Sequence, residues 1–360
     1  MMRNQLHFLI QNKLKQKTYH STNKNNGFTL IELIVAMVLA VLVITPLLGF
    51  MINILDTDRK EQAKVNSEQE VQTALDYIAQ DLQQAIYIYD AKGVKAIQNN
   101  LPYRTNTDRV PVLVFWKRQF EKEAVGGNFT GRNDSFVYSL VAYYLIQSNN
   151  TNNRDEKWSN QYRIARFELK DGVRDLDNPF TRSGQINYAK DKNGQRIEPD
   201  KGFALFELSN PAITGTFEEK MNSWKKGKIS TNATYELSNT QVLLDYIDAS
   251  QDKSLTSVDC ETVFDLSRYT TTKQTDKRKS LKVPAFEGTY RYSSSATLKK
   301  LGNSSFYACV DVDTVSAKVF IRGNAFARIN EKDNSYSDSR QSYFPTASVL
   351  VKGRGLIGTN

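Results

Sequence analysis

The sequence predicts an α+β chain: one long N-terminal helix laid on an antiparallel β-sheet, with long surface insertions. Three observations lead there. An uncharged run, Leu33–Leu55, follows a basic segment that has no acidic residue. Apolar residues then recur at spacings of four and three, at Val71, Leu75, Ile78, Leu82, Ala85 and Tyr89, which is one stripe of a helix. After Gly93 the pattern turns to runs rich in Val, Ile, Phe and Tyr between polar stretches.

Taken in order, residues 1–27 form a basic leader carrying Arg3, Lys13, Lys15, Lys17 and Lys24. Residues 28–55 form the apolar half of the helix. The 23 uncharged residues of Leu33–Leu55 are enough to cross ~30 Å of hydrocarbon. A secretory signal has a shorter apolar region and a small-residue cleavage site beyond it, and neither is present. The positive-inside rule places the leader in the cytoplasm and everything after Leu55 outside. Pro46 and Gly49 are expected to kink or locally melt this half. Residues 56–92 carry the stripe onward as an amphipathic continuation, so that Phe28–Tyr89 reads as one helix stopping near Gly93.

Residues 93–360 read as the β domain. Its expected strands are Val110–Phe115, Phe136–Ile146, Tyr162–Leu169, Phe203–Leu208, Gln241–Ile247 and Val315–Ile329. Tyr138, Tyr143 and Tyr144 are placed to pack under the helix. The runs Ser148–Gln161, Ala189–Gly202, Ser250–Ser257, Tyr269–Ser280 and Glu331–Ser342 read as solvated loops. No internal repeat is visible.

Composition removes whole classes of function. The formal charge of +9 hints at nucleic acid. The leader supplies five of those positive residues, however, leaving 43 Lys+Arg against 39 Asp+Glu, or +4, spread over more than 300 residues. That is no basic stripe, so a nucleic-acid partner is not expected. The densest cluster, Lys273, Lys277, Arg278, Lys279 and Lys282, reads as part of a solvated loop. Both histidines, His7 and His20, lie in the leader. A chain cut after Gly27 has none, which removes histidine bases, Ser-His-Asp triads and His-bound metals together. Gly126-Gly127 and Gly353-Arg354-Gly355 fall short of any phosphate-binding loop.

Gly27-Phe28-Thr29-Leu30-Ile31-Glu32-Leu33, with the leader before it and the apolar run after it, resembles the class III signal of type IV pilins and type II secretion pseudopilins. The likeness covers about residues 20–60. It implies that a membrane peptidase, the prepilin peptidase, cleaves after Gly27 and methylates the new terminus at Phe28. It implies that Glu32 is the buried acid that meets the amino terminus of a neighbouring subunit in a filament. The physics agrees. The ammonium exposed at Phe28 lies four residues before Glu32, and an acid in an apolar helix is costly unless it is paired. A pilin-like fold, other pilins as partners through the N-terminal helix, and insertion in the inner membrane before filament assembly are all implied. Ala74–Ile86 with Tyr143-Tyr144-Leu145 is similar to larger minor pilins and pseudopilins of the PilW or GspJ kind. Phe320–Ala325 and Phe344–Ser348, with the overall size, are similar to cyanobacterial hormogonium polysaccharide secretion pseudopilins.

Cys260 and Cys309 are the only cysteines. In an oxidising compartment they point to one disulfide, worth roughly 4 kcal/mol for a loop of this length; two free buried thiols are the alternative. Many major pilins close such a loop at the C-terminus, whereas here 51 residues follow Cys309. Asp311 and Asp313 alternate beside Cys309, so both would face one side of a strand. Asp175, Asp177 and Asn178 sit in a turn-like stretch. Either group could offer oxygens to calcium, but neither has the full Asp-x-Asp-x-Asp-Gly spacing. Solvated residues are the better reading, and no metal or cofactor is expected. The expected function is structural and non-enzymatic: a minor pilin or pseudopilin of a type IV pilus or type II secretion-like filament. The alternative is a pilus-tip binding module for polysaccharide or DNA. An anchored carbohydrate-active enzyme would need an acidic pair in a convincing context, and none is seen.

Overall fold

The computed structural model describes residues 27–104, 106–126, 132–147, 157–191, 193–227, 235–236, 240–250, 258–285, 288–292, 305–330 and 335–355. The leader up to residue 26 lies outside them, as do residues 251–257 of the expected loop Ser250–Ser257 and parts of the expected loops Ser148–Gln161 and Glu331–Ser342. The chain divides into two compact units, Met1–Thr57 and Asp58–Asn360.

The first unit holds the beginning of helix α1, which runs Leu30–Gln83. Its apolar residues from Leu30 to Leu55 are all exposed, and the helix is long and apolar enough to cross a membrane. It continues through Pro46 and Gly49, so the local melting expected there does not occur. Thr45 Oγ1 donates to the Val41 carbonyl at 2.8 Å. That bond lies one residue from the Leu42 carbonyl, which Pro46 leaves without its backbone donor.

The second unit begins with the rest of α1. Ala63, Ser67, Val71, Ala74, Leu75, Ile78 and Leu82 form its buried face, as the stripe predicts. The helix ends earlier than the expected Lys92. It stops at Gln83, and Ala85–Tyr89 is strand β1. The sequence Ala-Ile-Tyr-Ile-Tyr explains the change. β-branched and aromatic residues favour a pleated surface, and all five side chains are buried. Tyr89 therefore belongs to a strand. Its hydroxyl donates to the Met221 carbonyl at 3.0 Å and accepts from Trp116 Nε1 at 3.1 Å.

Helix α2, Ala91–Ile97, follows, capped by Asp90, whose carboxylate accepts from Gly93 N at 2.8 Å. Strands β2 (Arg109–Gly126), β3 (Arg132–Ile146), β4 (Tyr162–Lys170) and β5 (Thr240–Ile247) complete an antiparallel sheet in the order β1-β2-β3-β4-β5. Sequential neighbours pair throughout, the simplest antiparallel connection. Alternation sends Tyr143 towards α1 and Tyr144 away from it, where its hydroxyl meets the Pro102 carbonyl at 3.0 Å. Of the three tyrosines expected under the helix, Tyr143 reaches it.

Helices α3 (Phe217–Asn222) and α4 (Thr271–Ser280) precede a second antiparallel sheet. Its strands are β6 (Lys282–Val283), β7 (Phe306–Asp311), β8 (Ser316–Arg322) and β9 (Thr346–Lys352), in that order. The two sheets meet where β5 and β8 end. Ile247 bridges Gly323, Asp248 N donates to Arg322 O and Asn324 N to Tyr246 O. A buried ion pair, Arg322 Nε to Asp248 Oδ2 at 2.8 Å, locks the same corner.

Gly323 lies directly under α1. A Cβ there would sit 2.9 Å from Ser67 Oγ, 3.0 Å from Val71 Cγ2 and 3.3 Å from Pro345 Cγ. Gly323→Val should therefore cost about 1–3 kcal/mol through overpacking. Urea unfolding of the purified variant in detergent measures it, and an unchanged midpoint would contradict this packing.

Three further expectations change. Phe203–Leu208 is not a strand; Phe203 and Phe206 pack edge-on against Trp116. Val315–Ile329 is not one strand either, since β8 stops at Arg322 and a single 3-10 turn occupies Phe326–Arg328. The polar run Tyr269–Ser280 contains α4 rather than a loop. Its basic residues Lys277, Arg278 and Lys279 occupy the last turn, where the helix dipole favours cations.

Candidate functional site

Thr29 organises the N-terminal end. Its side-chain oxygen accepts from Glu32 N at 3.3 Å, and its carbonyl accepts from Leu33 N at 3.1 Å. Thr29 is thus the N-cap of α1, and Glu32 is its third helical residue. Thr-x-x-Glu is the capping-box pattern, and a carboxylate in the first turn also complements the positive end of the helix dipole. Phe28 lies just ahead of the cap and is 83% exposed. Among the described residues, nothing lies within 4 Å of where a Gly27 Cβ would be. The expected processing residues therefore stand before the first turn of the helix, and the expected assembly residue stands one turn inside it.

The other expected residues divide into two groups. Cys260 and Cys309 form a disulfide with 5.4 Å between their Cα atoms. It ties the segment before α4 to β7, inside a small apolar cluster that includes Leu266, Leu281, Tyr307 and Phe320. Replacing both cysteines by serine should cost about 4 kcal/mol. Denaturant unfolding of the oxidised parent and the double variant checks this; equal midpoints would show that the bridge adds nothing.

Asp311 and Asp313 do not share a strand face. β7 ends at Asp311, and Asp313 lies in the turn that follows. The Asp311 carboxylate is buried and pairs with Arg268, and it also accepts from Thr314 Oγ1 at 2.7 Å. Asp313 is exposed and faces Lys277 at 3.4 Å and Lys273 at 3.5 Å. Burial alone would push the Asp313 carboxyl up. The Tyr269 hydroxyl and the two lysines outweigh burial and hold it below the usual carboxylate range. Asp175 closes a local turn, accepting from Asp177 N and Asn178 N at 3.1 Å each. Among the described residues, no group of three or more His, Cys, Asp or Glu could hold a metal ion.

The structure adds a site between α1 and the first sheet that the sequence patterns passed over. Asp81, on the buried face of α1, accepts from Lys117 Nζ at 3.0 Å, Arg166 Nε at 2.6 Å and Tyr143 OH at 2.7 Å. Glu168 closes the ring, 3.2 Å from Lys117 and 2.9 Å from Arg166. Burial favours the neutral form of Asp81. The bond and charge of Arg166, the Lys117 ammonium and the Tyr143 hydroxyl overcome that and lower its pKa. Glu168 is likewise lowered, burial being outweighed by Arg166 and Lys117. One signal was available. Asp81 interrupts the apolar face beside Leu82, Lys117 ends the apolar run Val110–Trp116, and Arg166 stands between Ala165 and Phe167. A charge in each of three buried runs implies that the three meet.

Neither the curated proteins nor the solved structures compared with this chain gave a match. Residues 22–48 match the family model described as the prokaryotic N-terminal methylation motif. That match spans the glycine, the exposed phenylalanine, the capped first turn and the start of the apolar helix. Together with the long helix and the antiparallel domain after it, it supports placing the chain in the type IV pilin and pseudopilin superfamily.

Proposed function

We propose that this chain is a minor pilin or pseudopilin, a structural subunit of a type IV pilus or type II secretion-like filament, of the larger PilW or GspJ kind. Proteins carrying this motif are generally structural rather than enzymatic. The observation that carries the reading is the N-terminal arrangement. A glycine and an exposed phenylalanine precede a capped first turn bearing Glu32, on a helix apolar enough to span a membrane. In this reading Gly27 is the cleavage residue, Phe28 the methylated terminus and Glu32 the acid that pairs with a neighbour's amino group. Cleavage discards residues 1–27, residues 28–55 anchor the chain in the inner membrane and then join the filament core, and the β domain lies outside.

Co-expression with a prepilin peptidase, followed by mass spectrometry of the N-terminal peptide, tests the assignment. The expected product begins at Phe28 with a methylated amine, and a mature terminus anywhere else defeats it. Replacing Gly27 by a large residue should leave the leader attached.

A further inference from the structure

A cavity of about 380 Å³ opens between segments that are distant in sequence. Its walls come from the N-terminus of α2, the start of α3, one face of α4 and the turn after β7. Among the described residues, five carboxylates (Asp90, Glu218, Glu219, Asp276, Asp313) and three ammonium groups (Lys92, Lys273, Lys277) line it.

Most of these charges already compensate one another. Glu218 faces Lys92 at 3.2 Å, and Asp313 faces Lys273 at 3.5 Å. Asp276 accepts from Tyr290 OH at 2.6 Å, Glu219 is tied back to Thr216, and Asp90 caps α2. Lys277 is paired with Asp313 and Glu218 as well, but it is the buried ammonium of the three: its side chain is 8% exposed, and its Nζ makes no well-directed hydrogen bond. The nearest oxygens are Asp313 Oδ2 at 3.4 Å and Glu218 Oε2 at 3.7 Å, too far for good N–H···O geometry. A buried donor left this way is costly and calls for a partner.

The wall chemistry selects the kind of partner. An anion would meet five carboxylates. A cation would have to displace ammonium groups that are already seated beside those carboxylates. A neutral molecule that offers donors and acceptors on adjacent atoms suits both the Lys277 ammonium, which is ion-paired but lacks a well-directed hydrogen bond, and the spare lone pairs of Glu218 and Asp313. Phe217 and Val312 add an apolar wall for a C–H face, and the volume falls near the lower end of small-molecule sites. We propose that this cavity binds a neutral saccharide unit, through Lys277 and the carboxylates of Glu218 and Asp313, with Phe217 against the sugar ring. The site does not rest on the filament assignment, because a chain that is never processed at Gly27 would still carry it.

The test uses the full-length chain, unprocessed, in a zwitterionic detergent free of sugar headgroups. Saturation-transfer NMR is recorded with glucose, galactose, N-acetylglucosamine and cellobiose, and with galacturonate and glucosamine as charged comparisons. Transfer to at least one neutral saccharide is expected. Affinity should be about tenfold weaker in Lys277→Met and in Asp313→Asn, as for loss of a charge-assisted hydrogen bond. Asp313→Asn alters an exposed side chain and keeps the result decisive if Lys277→Met does not fold, which circular dichroism reports. Three outcomes overturn the proposal: no transfer to any neutral saccharide, transfer only to the charged sugars, or undiminished binding in the folded variants.

Discussion

Asp81→Ala is expected to lower the stability of the β domain by about 3–5 kcal/mol, the range for breaking a buried ion pair from one side. The substitution removes a small side chain, so the lost packing is minor. The cost comes from what remains. Lys117 and Arg166 stay buried with only Glu168 to balance them, and the Tyr143 hydroxyl loses its acceptor. Urea unfolding followed by circular dichroism measures the effect; a loss below ~1 kcal/mol would show that the cluster is solvated and weak. The same cluster sets a pH dependence. The Asp81 carboxyl is held below its ordinary value in the folded state, so the unfolded chain takes up a proton more readily. Its stabilisation is fully present above the unfolded value of about 3.9 and is lost as pH falls through the lower folded value. Asp81→Asn should therefore flatten the acid limb of the stability profile as well as lower its plateau.

Glu32→Ala is expected to leave membrane insertion intact and to abolish, or nearly abolish, incorporation into filaments. The apolar run Leu33–Leu55 is untouched, and removing a charge only makes the helix easier to insert. What disappears is the carboxylate that the proposed assembly pairs with a neighbouring Phe28 ammonium. An unpaired ammonium in an apolar filament core is penalised by several kcal/mol. The Thr29 bond comes from the Glu32 backbone, so the N-cap survives the substitution. Fractionation of membranes and of sheared filaments separates the two steps. Normal recovery of the variant in filaments would remove the assembly role from Glu32.

The two predictions differ in how readily their residues could be seen. The roles proposed for Gly27, Phe28 and Glu32 rest on linear order. Each is defined by its order along a leader, a turn and an apolar run, and the family-model match over residues 22–48 falls on that segment. The stripe Val71–Leu82 was equally plain, since helical periodicity needs only local spacing. Its extension to Tyr89 was wrong because alternation in Ala-Ile-Tyr-Ile-Tyr and helical spacing coincide over a few residues. Pairing with β2 decided between them. α4 was hidden for a related reason. Its apolar content is low, and it is held by a buried lysine and serine rather than by an apolar stripe.

The sequence by itself determined the N-terminal motif, the apolar helix, the α+β class and the choice of one disulfide or two free thiols. All of these follow from composition and short-range order. Only the tertiary structure decided where α1 ends, that Cys260 meets Cys309, that Asp311 and Asp313 face different cations, and that Asp81, Lys117 and Arg166 share one buried site. The physical reason is separation along the chain. Asp81 lies 36 residues from Lys117 and 85 from Arg166, and a buried charge acquires its partners only when the sheet register brings those strands beneath the helix.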